Sequence, residues 1–192
     1  MTGQTGGTGR RWWRWTIGVS ATLLIVAIAI SVVLRTLADA ETIDPPVVPP
    51  VVEDTLPAWG YRLYLPAELP PCVEYAPDGA DVQTSPAASG GAVLRIAFAL
   101  RDGATGCNGP DPEIEMLQAP ALRSLDGTVT TVSRDQIHYA RQAQPVDGGQ
   151  RLTFQWLCGP MTCRLSGTIW DGGSVSEEDL LRIATSTQLA RS

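Results

Sequence analysis

The feature that most restricts this chain is an uncharged apolar run at residues 16–34, TIGVSATLLIVAIAISVVL, entered by RRWWRW and left through Arg35. Its 19 residues would make a helix of roughly 28 Å, close to the roughly 30 Å hydrocarbon thickness of a bilayer. A core helix of a soluble domain would carry polar residues along one face, whereas Thr22 and Ser31 interrupt this run singly. Residues 16–35 are therefore predicted to cross a membrane as one helix. Gly18, Ser20 and Ala21 are small but form no GxxxG, so the run carries little signal for dimerisation.

Charge sets the expected orientation. Arg10, Arg11 and Arg14 precede the run, while Arg35 is soon followed by Asp39, Glu41 and Asp44. The positive-inside rule puts residues 1–15 in the cytoplasm and everything from residue 36 outside. Trp12, Trp13 and Trp15 suit the inner headgroup layer, where an indole buries its ring and keeps its N–H wet. The competing reading is a cleaved signal peptide, with Ala38-Asp39-Ala40 as the small-residue site before Glu41. Signal-peptide apolar regions are about 7–15 residues long, so an uncleaved single-pass signal-anchor is expected.

Composition agrees with that placement. The net charge of −6 hides an asymmetry: four of the 14 basic residues lie at or before Arg35, and all 20 acidic residues lie after it. Ten arginines against 20 carboxylates leave the outer part at −10, which disfavours nucleic acid and anionic lipid headgroups as direct partners. All four cysteines also lie beyond the run, in the compartment where disulfides persist.

Residues 36–57 read as a Pro-rich spacer. PPVVPPVV favours polyproline II, and eight residues at about 3.1 Å each make a stiff arm of roughly 25 Å. From residue 58 the period changes to two. Trp59, Tyr61, Leu63 and Leu65 alternate with Gly60, Arg62 and Tyr64, predicting a first strand. Residues 77–91, rich in Pro, Gly, Ser and Asp, read as an exposed loop. Further strands are predicted at residues 92–100, 113–118, 128–132, 136–141, 150–158 and 163–170, with a turn at Asp147-Gly148-Gly149. Near the end Ser176 is placed to cap a helix, with Asp179 at its third position and Val175 and Leu180 as a hydrophobic staple. Leu180, Leu181 and Ala184 then make its apolar stripe, with Ile183 beside it. Residues 58–192 are thus expected to form one extracytoplasmic α+β domain, a mainly antiparallel sheet covered by the C-terminal helix.

The candidate chemistry is structural. Cys158 and Cys163 flank a predicted four-residue turn on facing strands and suit a local disulfide, which leaves Cys72 and Cys107 to pair. A four-thiolate zinc site would favour short spacings at both ends, and only one pair is close. His138 falls on the polar face of a strand with Gln136 and reads as a surface histidine. There is no G-x-S-x-G, H-E-x-x-H or G-x-x-x-x-G-K motif. Asp102, Asn108, Asp111, Glu113 and Glu115 offer oxygen ligands without EF-hand spacing, and their carboxylates carry no specificity for glycoside hydrolysis. No catalytic residue, metal site or cofactor is expected.

Four stretches recur in this order in a known type of domain: Tyr64-Leu65-Pro66 through Leu69-Pro70, the strand ending Leu117-Gln118-Ala119-Pro120, the Trp156 strand, and SEEDLLRIATS at residues 176–186. In these the chain resembles, over roughly residues 56–189, the uncharacterised extracytoplasmic domains found outside the membrane in anti-sigma-factor-like bacterial proteins. The resemblance implies a sensory or interaction module and carries no catalytic residues. Such proteins also have a cytoplasmic sigma-binding domain, for which the 15 residues before the run are too few. The expectation is a membrane-anchored, non-enzymatic domain of the bacterial envelope that senses or binds a protein or a small envelope ligand. The alternatives are an envelope enzyme and a carrier of an apolar ligand.

Overall fold

The computed structural model describes residues 45–84, 88, 91–134 and 136–190. The expected basic tail, the span at 16–35, the cleavage point after Ala40 and the spacer up to residue 44 lie outside the described residues. Among the described residues no helix is long and apolar enough to cross a membrane.

Two helical turns, α1 (Pro50–Glu53) and α2 (Leu56–Trp59), lead into a short strand, β1 (Tyr64–Pro66). The main sheet follows as β2 (Val73–Thr84), β3 (Ala92–Leu100), β4 (Ile114–Ala119), β5 (Val129–Arg134), β6 (Ile137–Val146), β7 (Gly149–Cys158) and β8 (Met161–Trp170). Helix α3 (Glu177–Thr185) and a last strand, β9 (Thr187–Leu189), complete the described fold. The main sheet has the order β2-β3-β4-β8-β7-β6-β5, and β1 pairs with β9 in a separate two-stranded ladder. Every pairing is antiparallel.

Period-two burial decides which face of the sheet is apolar. Ile96, Met116, Leu165 and Phe154 stand opposite one another across four strands, making one buried row of the core. Arg141 of β6 continues that row and reaches over the core edge to α3, where its guanidinium donates to both oxygens of Glu177 at 2.7 and 2.9 Å. Helix α3 covers this face. The hydroxyl of Ser176 accepts from the Asp179 amide at 3.2 Å, and the Asp179 carboxylate accepts in return from the Ser176 amide at 3.0 Å, the reciprocal capping expected for this stretch. The buried residues of the helix are Leu180, Ile183 and Ala184, whereas Leu181 is only partly covered, so the stripe is turned by one position from the expected one. Gly167 makes that approach possible, since a Cβ there would stand 3.0 Å from Leu180 and 3.2 Å from Ile114.

The opposite face is charged. Arg95 bridges Asp81 and Glu115 at 3.6 and 3.1 Å, and Arg151 reaches Glu113 and Glu115 at 3.2 and 3.4 Å. At one end of this face the isolated bridge Ala88–Leu122 closes a small second core with Val93 and Ala119.

Three expectations are corrected. The spacer reading fails for residues 50–57: Pro49 is extended at φ −67°, ψ 146°, but Pro50 opens α1 and Val52 is fully buried. A proline at the first helical position is already set for the helix, and burying Val52 on the sheet outweighs the preference for polyproline II. The predicted strand from residue 58 is reduced to β1. Leu56–Trp59 is helical, and Gly60 at φ 68° terminates it in the left-handed region open to glycine. The loop expected at 77–91 is strand as far as Thr84: β2 runs on after a bulge between Tyr75 and Ala80 takes up the intervening residues. Within the bulge Gly79 leaves no room for a side chain, because a Cβ would lie 2.7 Å from the Ala97 carbonyl oxygen.

The apolar cleft beside the β1–β9 ladder

Both expected disulfides are present, and no described cysteine is free. Cys72–Cys107, with Cα atoms 5.2 Å apart, ties the approach to β2 to the loop after β3. The second bond departs from the expected geometry. Its turn is shorter than four residues, since Cys158 faces Met161 and Cys163 faces Trp156. Cys158–Cys163 is therefore a diagonal link on the core face, with Cα atoms 5.9 Å apart. With every described thiol bonded, the four-thiolate zinc alternative is overturned.

His138 is exposed on the β5–β6 hairpin, as expected for a surface histidine. Its Nδ1 lies 2.7 Å from the Ser133 hydroxyl on the neighbouring strand, a contact that the sequence pattern did not suggest. Gln136, expected beside it on the strand, sits instead in the turn at φ 65°. The acidic stretch is engaged in structure: the Asp111 carboxylate accepts from the Glu113 amide at 3.0 Å, and Glu113 and Glu115 pair with arginines. No group of three or more metal-ligating side chains occurs among the described residues. Burial raises the pKa of Tyr75 and lowers that of Arg164, while hydrogen bonds to Glu115 and Glu177 raise those of Arg95 and Arg141. Neither these groups nor Ser133 and His138 are among the residues that line the cleft described next.

An open concavity is built by segments whose fold the sequence concealed. Trp59 is buried at the end of α2, and its indole N–H donates to the Arg62 carbonyl at 3.3 Å, closing the loop that Gly60 opens. That closure turns Tyr61 outward, its ring edge-on to Trp59 at 5.1 Å, where a continuous strand would have turned it into the core. Leu63 then dips back in, and its carbonyl accepts from the Ala190 amide at 3.0 Å, pinning the end of β9 alongside. Between these pieces lies an open cleft of about 470 Å³, walled by Val48, Leu56, Leu63 and Leu189, with Tyr61 and Arg62 at its rim.

The ladder that borders the cleft is fastened to the main sheet by one buried side chain. Gln118 of β4 has no exposed surface; its amide oxygen accepts from the Tyr64 N–H at 3.0 Å and its amide nitrogen donates to the Tyr64 carbonyl. A side-chain amide thus takes the place of a neighbouring strand for that residue.

What the described residues of the cleft offer chemically is apolar area with one cationic group and one phenol. Alternation at residues 59–65 assigned Tyr61 to a strand and so hid the cleft. The signal that could have found it was Gly60, a helix-terminating residue directly after an apolar four-residue turn. The chain matches no protein-family model, no curated protein and no solved structure.

Proposed function

We propose that this chain is a single-span envelope protein, N-terminus in the cytoplasm, whose α+β domain lies outside the membrane as a sensing or interaction module. The observation that carries the interaction reading is the open apolar cleft: it has walls for a partner or ligand and a rim that holds one tyrosine and one arginine. The apolar run at residues 16–34 and its upstream arginines support the anchored topology. Two disulfides are compatible with an oxidising compartment. Within this reading the resemblance of residues 56–189 to extracytoplasmic domains of anti-sigma-factor-like proteins supports the role of an envelope sensor. The partner is a protein or a small envelope ligand, since ten arginines against 20 carboxylates repel nucleic acid.

Topology is the first test. Protease added to cells stripped of their wall is expected to digest residues 36–192 and to leave residues 1–15 protected. Protection of the C-terminal domain would overturn the orientation and the reading built on it.

A further inference from the structure

We infer that the rim of the cleft docks on the outer leaflet of the membrane that anchors the chain, a proposal that rests on the anchored topology above. Exposed apolar side chains gather at this place. Val47 is 85 % exposed, Tyr61 50 % and Leu189 45 %; Tyr61 and Leu189 line the cleft, and Val47 precedes Val48 in its wall. Aliphatic groups beside a tyrosine are what the headgroup layer accepts, with the ring buried and the hydroxyl wet.

Charge selects the same surface. The part of the chain beyond Arg35 is strongly acidic, yet among the described residues no carboxylate lines the cleft and the one charged residue there is Arg62. Arg62 takes part in none of the ion pairs found among the described residues. A guanidinium outside those ion pairs at the edge of an apolar surface is matched to a lipid phosphate, which it can bind through two N–H groups.

Chain length makes the encounter hard to avoid. Only 13 residues lead from Arg35 to Val48, a reach of at most about 45 Å when fully extended. Val48 stands in the cleft wall, so the segment that leads from the apolar run enters the domain at this surface. The short tether acts as a high local concentration of membrane, and a weak apolar contact is then enough to hold the domain down. The bilayer is therefore favoured over a soluble peptide or a second copy.

The full chain, one copy per phosphatidylcholine nanodisc, would be subjected to hydroxyl-radical footprinting. Val47, Tyr61 and Leu189 are expected to oxidise several-fold more slowly than their exposure implies, with Leu157, 74 % exposed and outside the cleft, as the fully reactive reference. Reaction of all four in proportion to exposure would refute docking. The double variant Arg62→Glu, Leu189→Asp is expected to restore the reactivity of Tyr61 while the chain stays in the membrane through alkaline carbonate extraction. If protection of Tyr61 survives in that variant, something other than the bilayer covers the cleft and the proposal fails. Release of the wild-type chain by carbonate would instead overturn the anchored topology, and the docking with it.

Discussion

Replacing Gln118 with Met tests the clip between β1 and the main sheet. Methionine matches the length of glutamine and is more apolar, so an account based on burial alone predicts a stable or stabilised variant. The hydrogen bonds predict the reverse. Both polar groups of the Tyr64 backbone end on the Gln118 amide, and Tyr64 is itself buried. Without that amide, one N–H and one C=O are left unsatisfied at about 1–3 kcal/mol each. Better apolar transfer of methionine offsets part of the total, leaving a net loss of about 2–4 kcal/mol. For a chain of this size that loss lowers Tm by roughly 5–15 °C. The measurement is thermal unfolding of the full chain with disulfides intact, with hydrogen exchange at the Tyr64 amide as a local readout. Wild-type stability together with unchanged protection at Tyr64 would show that the clip is ornamental.

Further expectations concern the helix, the bulge and the disulfides. Ser176→Ala removes the cap of α3 and is expected to cost about 0.5–2 kcal/mol in denaturant unfolding, against about 2–5 for Leu180→Ala. Leu181→Ala, at a partly covered position, should fall well below Leu180→Ala, and equal losses would contradict the helix rotation described above. Gly79→Ala forces a methyl against the Ala97 carbonyl and should destabilise by about 1–3 kcal/mol; a neutral result in the same melts would mean that the bulge relaxes freely. Under mild reduction with timed alkylation, Cys72–Cys107 should open before Cys158–Cys163, because the first pair is partly exposed and the second is buried. Opening the first, with a sequence separation of 35, should lower stability by roughly 3.8 kcal/mol by chain entropy, and alkylation of Cys158 first would contradict the burial argument.

How far the sequence could be read depended on whether a segment's neighbours in space were also its neighbours in the chain. Strand β3 and the β7–β8 hairpin were legible because period-two alternation and a tight turn are local signals. The same holds for α3, whose capping pair lies within four residues. The segment from Pro50 to Pro66 was not legible. Val52 and Trp59 are buried by a sheet made of residues that come later, and nothing in PPVVPPVV says that a surface will be waiting for it. The β1–β9 pairing joins residues more than 120 positions apart and leaves no periodic trace in either partner. The cysteine pairing was recoverable by spacing, but the diagonal register of the short one was not, since it turns on a hairpin two residues tighter than the spacing suggests. The cleft follows from these long-range placements and was concealed with them.

The order of strands in the main sheet bears on the sequence in which the domain can assemble as the chain emerges. β2, β3 and β4 are neighbours in the sheet as in the chain, and so are β5, β6, β7 and β8. Each set can assemble from its own hairpins as soon as it emerges, with fast local closures. One seam, β4 against β8, unites them, and β4 presents a bare edge for the whole time that the intervening residues are being synthesised. That interval is the nascent chain's period of greatest exposure to mispairing. It ends with β8, and β9 arrives last to engage β1, so β1 emerges before the main sheet and waits longest for its mate.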